Sequence, residues 1–326
     1  METSEIIKRV RQVEIKTRGL SRNIFAGAYH TAFKGRGMTF SEVREYGFGD
    51  DVRNIDWNVT ARFNRPYVKV FEEERELTVM LLIDVSSSRD FGTSTKTKKN
   101  IINEIAATLA FSAIQNNDKI GAILFSDRIE KFIPPQKGRK HILYIIREMV
   151  GLKPQSKKTD IDMALRYFAN AVKKRCTAFL ISDFMSNESF REPQRPMAAT
   201  EALEAAFPSR ASGNGSVAEA LEATNNFVHS LSIANRKHDV VALQVYDKRE
   251  TEIPPVGLIK LKDAETNEKI SVDSSNKKMR DFYKKYWENR QADLSGIFKQ
   301  SRVDYVSVET NEDYVKALIK LFKQRA

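Results

Sequence analysis

The chain has a single cysteine, Cys176, and four histidines, His30, His141, His229 and His238. One thiol excludes an intrachain disulfide framework and a thiolate zinc site. The histidines are too scattered in sequence to give the close pairs that zinc sites use, so histidine-based chemistry has no support. Long apolar runs are missing as well: no stretch approaches the roughly 20 residues that span a bilayer. The first residues, Met-Glu-Thr-Ser-Glu, lack the basic start and apolar stretch of a secretory signal. These absences lead to the expectation of a soluble, cytoplasmic protein.

What is present suits a globular fold. Hydrophobic residues make up 41% of the 326, with 19 phenylalanines, enough for a substantial core. The length fits one large domain, or a main domain with a smaller module. The formal net charge of +11 admits nucleic acid, an anionic membrane surface or an acidic protein as partner, and does not choose among them. The lysines fall in short groups such as Lys96/Lys98/Lys99, Lys157/Lys158, Lys173/Lys174 and Lys284/Lys285, with acidic residues between them. That pattern is expected of solvated helix faces.

An amphipathic helix is expected over 5–17, followed by a glycine- and charge-rich region, so that 1–76 reads as a separate, β-rich N-terminal module. From 77 to 326 apolar, β-branched segments alternate with helix-length amphipathic ones, which predicts an α/β domain around a doubly wound, mostly parallel sheet. Strands are expected at 77–84, 119–125, 129–133, 177–182, 239–245 and 305–308. Helices are expected at 97–116, 139–150, 161–174, 276–300 and 313–323. The stretch 191–226 is rich in Ala and Glu, has no lysine and carries a Ser-Gly-Asn-Gly-Ser tract. It reads as a surface insertion with helices at 197–206 and 217–225.

The first strand of the main domain ends abruptly in Asp84-x-Ser86-x-Ser88. A run of Val, Ile and Leu suits a strand buried on both faces, and such strands deliver ligand-binding residues just past their carboxyl ends. One carboxylate and two hydroxyls then emerge in a single turn, hard oxygen donors of the kind magnesium and manganese prefer. On this segment alone two readings stand open, a metal site and a serine-rich turn capping the next helix. Asp183 ends another strand in the same way. Thr159 lies just before a helix, where it either caps that helix, as Asp160 also could, or turns its hydroxyl to a cation. Ser86, Ser88 and Thr159 would donate neutral oxygens, while Asp84 and Asp183 would bind directly or through water. The open position would then recruit an acidic side chain from another molecule. Arg89 directly follows Ser88, so its guanidinium has to point away from a cation or meet Asp90. Upstream, Gly47-x-Gly49 lacks the Lys-Ser/Thr of a phosphate loop. Arg44, Arg53 and Arg62 are expected to pair with Asp50, Asp51 and Asp56.

In order and spacing, Asp84-x-Ser86-x-Ser88, Thr159 and Asp183 resemble the metal-ion-dependent adhesion site of von Willebrand factor type A domains. The upstream Gly37-x-x-Phe40-x-x-Val43-Arg44-Glu45-Tyr46-x-x-Gly49-Asp50-Asp51-Val52-Arg53-x-Ile55-Asp56-Trp57 resembles domain of unknown function family 58. The segments from His238 to Leu243, Asp247-x-Arg249-Glu250 and Pro254-Pro255-x-Gly257 continue that resemblance. It implies a Rossmann-like domain with a crest binding Mg2+ (or Mn2+). It also implies a partner among AAA+ ATPases of the MoxR type, and chaperone-like maturation or assembly of other proteins. The leading expectation is a metal-dependent protein-binding adaptor, not an enzyme, with an acidic protein ligand completing the coordination. The alternative is a metal-dependent phosphoester hydrolase, which would want a positioned nucleophile or two metals about 4 Å apart. Nucleic-acid binding rests on the charge alone.

Overall fold

The computed structural model describes residues 39–72, 77–92, 97–185, 217–262 and 269–325. The helices expected at 5–17 and 197–206, and Lys96, lie outside them. The described residues fall into two compact units that part between Leu77 and Thr78.

In the smaller unit β1 (Thr39–Glu45) and β2 (Tyr67–Glu72) pair antiparallel, with an irregularity at Phe40/Glu42. Between them lie a 3-10 turn (Val52–Asn54) and a short helix, α1 (Trp57–Phe63). Arg44 grips Asp50 with both terminal nitrogens, at 2.8 and 2.7 Å. The same carboxylate accepts the Gly47 N–H at 2.8 Å, so this amide is spent on holding the turn rather than left for a phosphate. Of the three expected arginine pairs only this one forms. Asp51 and Asp56 instead accept backbone N–H groups at the starts of the 3-10 turn and α1, and Asp56 meets Lys69 at 3.5 Å. Aspartates are short enough to cap helices, which competes with ion pairing at these positions.

The larger unit is built on a six-stranded sheet in the order β10-β7-β6-β3-β4-β5. Its strands are β3 (Thr78–Asp84), β4 (Lys119–Phe125), β5 (Ile129–Gln136), β6 (Thr177–Ser182), β7 (Asp239–Tyr246) and β10 (Asp304–Glu309). All neighbours run parallel except β5, which closes one edge antiparallel. Pro134 and Pro135 lie inside β5, longer than expected, because an edge strand can spare the missing N–H groups. The sheet is the expected doubly wound, mostly parallel one.

The helices are α2 (Lys98–Gln115), α3 (Arg139–Gly151), α4 (Ile161–Ala171), α5 (Val217–Lys237), the short α6 (Lys248–Thr251), α7 (Lys277–Gln300) and α8 (Tyr314–Arg325). A hairpin absent from the sequence reading, β8 (Leu258–Lys262) with β9 (Lys269–Asp273), lies between α6 and α7. The pattern of one apolar stripe understates α2: Lys98, Asn103, Glu104 and Thr108 are buried along with its aliphatic residues. The helix expected to stop at 225 continues to Lys237. Phe227, Leu231 and Ala234, spaced by four and three, are fully buried and anchor α5 in the core beside Leu180 and Ala242. Cys176 is buried as expected, 3.3 Å from His238 Nδ1. Among the described residues no helix is long and apolar enough to cross a membrane.

Two predictions follow from this core. A Cβ on Gly121 of β4 would stand 2.7 Å from the Ile133 carbonyl oxygen and Met80 Sδ, and 2.9 Å from Pro135 N. Gly121→Ala should therefore force β4 and β5 apart and lower stability by about 1–3 kcal/mol in urea unfolding. Burial pushes the His238 imidazole down from 6.5 to about 4, with Lys237 and Arg175 adding to it. The unfolded chain takes up this proton first, so the contribution is complete above pH 6.5 and is lost as pH falls toward 4. The stability difference between wild type and His238→Gln should shrink as pH is lowered through that window.

Candidate metal centre

The sheet order places the crest. From β3 the chain first moves to β4 on one side and later crosses to β6 and β7 on the other, so the topological switch point lies between β3 and β6. Crevices beyond the carboxyl ends of strands at such a point are where open α/β sheets bind ligands. Ile83 pairs with Ile181, which sets Asp84 beside Ser182 and brings Asp183 into the same crevice.

Asp84 is 2% exposed. Its Oδ1 accepts the Ser86 N–H at 2.9 Å and its Oδ2 accepts the Ser182 hydroxyl at 2.6 Å. Ser86 Oγ lies 3.0 Å from Ser88 Oγ. Asp183 accepts the Met185 N–H at 3.1 Å on Oδ1, and the Ser88 hydroxyl also bonds to this carboxylate. Asp84, Ser86, Ser88 and Asp183 are thus brought together, directly or through Ser182. Thr159 sits half-buried on a loop tied to both neighbouring strand ends. The Ser87 N–H donates to the Lys157 carbonyl at 3.2 Å, and the Asp160 N–H to the Ser126 carbonyl at 3.0 Å. The α4 cap comes from Asp160, whose carboxylate accepts the Met163 N–H, rather than from Thr159.

Lys98 departs from the expectation of a solvated helix face. Lys98, grouped above with solvated lysines, is fully buried, and its Nζ lies 2.7 Å from Asp183 Oδ2 and 2.5 Å from Glu250 Oε1. A signal was available: Lys98 is the first residue of α2, where the helix dipole disfavours a cation.

This arrangement divides the two aspartates. Burial pushes both carboxyls up, but the charge and hydrogen bond of Lys98 outweigh it at Asp183, which stays ionised below its usual range. Asp84 has no ammonium against it, and burial together with the negative Asp183 pushes it up to about 6. Arg89 is buried, with its Nη2 3.5 Å from the Leu152 carbonyl and its charge attracted by Asp84 as well as Asp90, while Asp90 pairs with Lys99 at 3.3 Å.

The donor set fits a small hard cation. Oxygens about 2.1 Å from a magnesium ion at right angles lie about 3.0 Å apart, the Ser86–Ser88 separation. Among the described residues no three His, Cys, Asp or Glu side chains converge in a metal-holding group. An ion here would therefore depend on hydroxyls and on the charge of Asp84 and Asp183. Because burial and the negative Asp183 destabilise the Asp84 charge and no cation makes an ion-pair contact with it, Asp84→Asn should leave the metal-free protein at least as stable as wild type in urea unfolding. Ser182→Ala, which strips Asp84 of its hydroxyl donor, should lower stability by about 1–3 kcal/mol.

Comparison with known proteins gives a family and no activity. An uncharacterized protein of Mycobacterium tuberculosis is 25% identical over 320 residues, covering 97% of this chain and 88% of the relative. The crystal structure of the conserved hypothetical protein BatB from Bacteroides thetaiotaomicron is 15% identical with a TM-score of 0.43, over 76% of this chain and 98% of that one. A von Willebrand factor type A structure from Catenulispora acidiphila is 10% identical with a TM-score of 0.39, over 77% and 42%. The family described as protein of unknown function DUF58 matches residues 42–203 and 197–293, most of the sequence, and the chain belongs to it.

Proposed function

We propose that this chain is a metal-dependent protein-binding adaptor. In this reading Mg2+ (or Mn2+) is held at the crest by Asp84, Ser86, Ser88, Thr159 and Asp183, and an acidic side chain of the partner completes the coordination. The observation that carries the reading is Asp84: a buried carboxylate with no ion-pair contact and only the Arg89 charge acting on it at longer range, beside two hydroxyls at the spacing of adjacent octahedral ligands. Such a carboxylate calls for a counter-charge, and the neighbouring oxygens are neutral donors that leave a dication electrophilic. When bound there, the ion would supply Lewis-acid attraction for one more carboxylate oxygen. Ser86 and Ser88 would be neutral donors to the ion, Ser182 holds Asp84 in place, and the exposed Lys157 and Lys158 would steer an acidic partner toward the crest. The partner we assign is a MoxR-type AAA+ ATPase, in cytoplasmic, chaperone-like maturation or assembly of other proteins. The domain over 77–326 would carry this role and the module over 1–76 would support it.

The hydrolase alternative gains nothing here, since a two-metal site would need more carboxylates than come together among the described residues. The test has two arms. Thermal unfolding across a Mg2+ and Mn2+ titration should stabilise wild type, by roughly 2.7 kcal/mol at 100 times the dissociation constant, and leave Asp84→Ala unmoved. Immobilised wild type should retain a purified MoxR-type ATPase in Mg2+ and release it in chelator. Equal response of the two proteins to metal, or retention indifferent to chelator, would remove the proposal.

A further inference from the structure

Lys98 is placed with more care than a structural ion pair needs. Its ammonium touches Asp183 and Glu250, and the Phe91 ring covers it, 5.8 Å from Nζ to the centroid. Glu250 is itself fixed. Its second oxygen accepts the Asp247 N–H at 2.9 Å in a capping box, and Asp247 accepts the Thr310 hydroxyl at 2.9 Å. The ammonium therefore has two anchors: Asp183, which belongs to the crest, and Glu250, held by the turn after β7. The charged groups around the crest are Asp84, Asp183 and Glu250 against Lys98 and the buried Arg89.

We infer that Lys98 is a tethered cation that competes with the divalent ion for Asp183, and that Glu250 is where it retreats when the ion binds. This rests on the metal reading of the same site. A lysine ammonium carries one charge and can donate three hydrogen bonds, so it satisfies Asp183 in the metal-free protein without an ion. A dication arriving at Asp84, Ser86 and Ser88 then meets a like charge on the far side of Asp183. The contact with Asp183 has to yield, while Glu250 keeps the ammonium from becoming a buried unpaired charge. Lys98 thereby holds the affinity for metal alone low, and the carboxylate of a partner tips the balance.

Binding of Mn2+ alone to the full-length protein, read from the electron paramagnetic resonance signal of the free ion, tests this with two variants that should move in opposite directions. Glu250→Gln removes the retreat and leaves Lys98 on Asp183, so Mn2+ should bind about tenfold more weakly. Lys98→Met/Glu250→Gln removes the competitor and its partner together, so Mn2+ should bind about tenfold more tightly than to wild type. Binding by the double variant alone would also support the inference. If wild type binds and the double variant binds no tighter, Lys98 is a structural ion pair only and the metal reading stands. If none of the three binds, the metal reading fails and the inference with it. Should circular dichroism show the double variant unfolded, Glu250→Gln carries the test: binding equal to wild type would overturn the inference.

Discussion

Two carboxylates buried side by side cannot both be ionised without a counter-charge, and the crest of the large sheet is organised by that constraint. Asp84 and Asp183 stand at the ends of adjacent parallel strands, both nearly inaccessible to solvent. One has been answered from within the chain, by the ammonium of Lys98. The other is held by dipoles, the Ser86 N–H and the Ser182 hydroxyl, with the Arg89 charge acting on it without an ion-pair contact. Neutral donors orient a carboxylate but do not neutralise it, so Asp84 is left the less compensated of the pair.

That constraint reaches outward. Lys98 starts α2, the helix buried along most of its length against the sheet, and its partner Glu250 closes the capping box of α6 after β7. Asp247 of that box takes the Thr310 hydroxyl at the end of β10. The carboxyl ends of β6, β7 and β10 are therefore connected through side chains that begin at one candidate ligand. Whatever is added to or removed from Asp183 changes the electrostatic surroundings of Glu250 as well.

The sequence made some of this legible and hid the rest for physical reasons. Asp84, Ser86, Ser88 and Asp183 could be placed because fully buried strands leave an unmistakable apolar run, and whatever polar residue follows it must lie at a strand end. Thr159 could be placed only on its loop, since loop conformation has no periodicity to read. Lys98 was hidden because a lysine among lysines looks solvated, and what decides its burial are carboxylates 85 and 152 positions away. The end of α5 was misplaced because the Ala- and Glu-rich composition before it drew the boundary, although the Phe227, Leu231 and Ala234 spacing showed the helix continuing into the core. The arginines of the small unit were paired by charge counting, which neglects how readily aspartates cap helix starts instead.

The hydroxyl-rich character of the crest bears on the kind of binding it suits. A site made from three or four carboxylates would satisfy a dication by itself and leave little attraction for a further acidic ligand. Here a large part of the available negative charge is already committed to Lys98, and the donors nearest Asp84 are neutral. In the proposed adaptor, affinity for the ion and affinity for an incoming carboxylate would be two parts of one free energy, since each would supply what the other lacks. Mutual dependence of this kind suits reversible protein association better than a permanent structural metal.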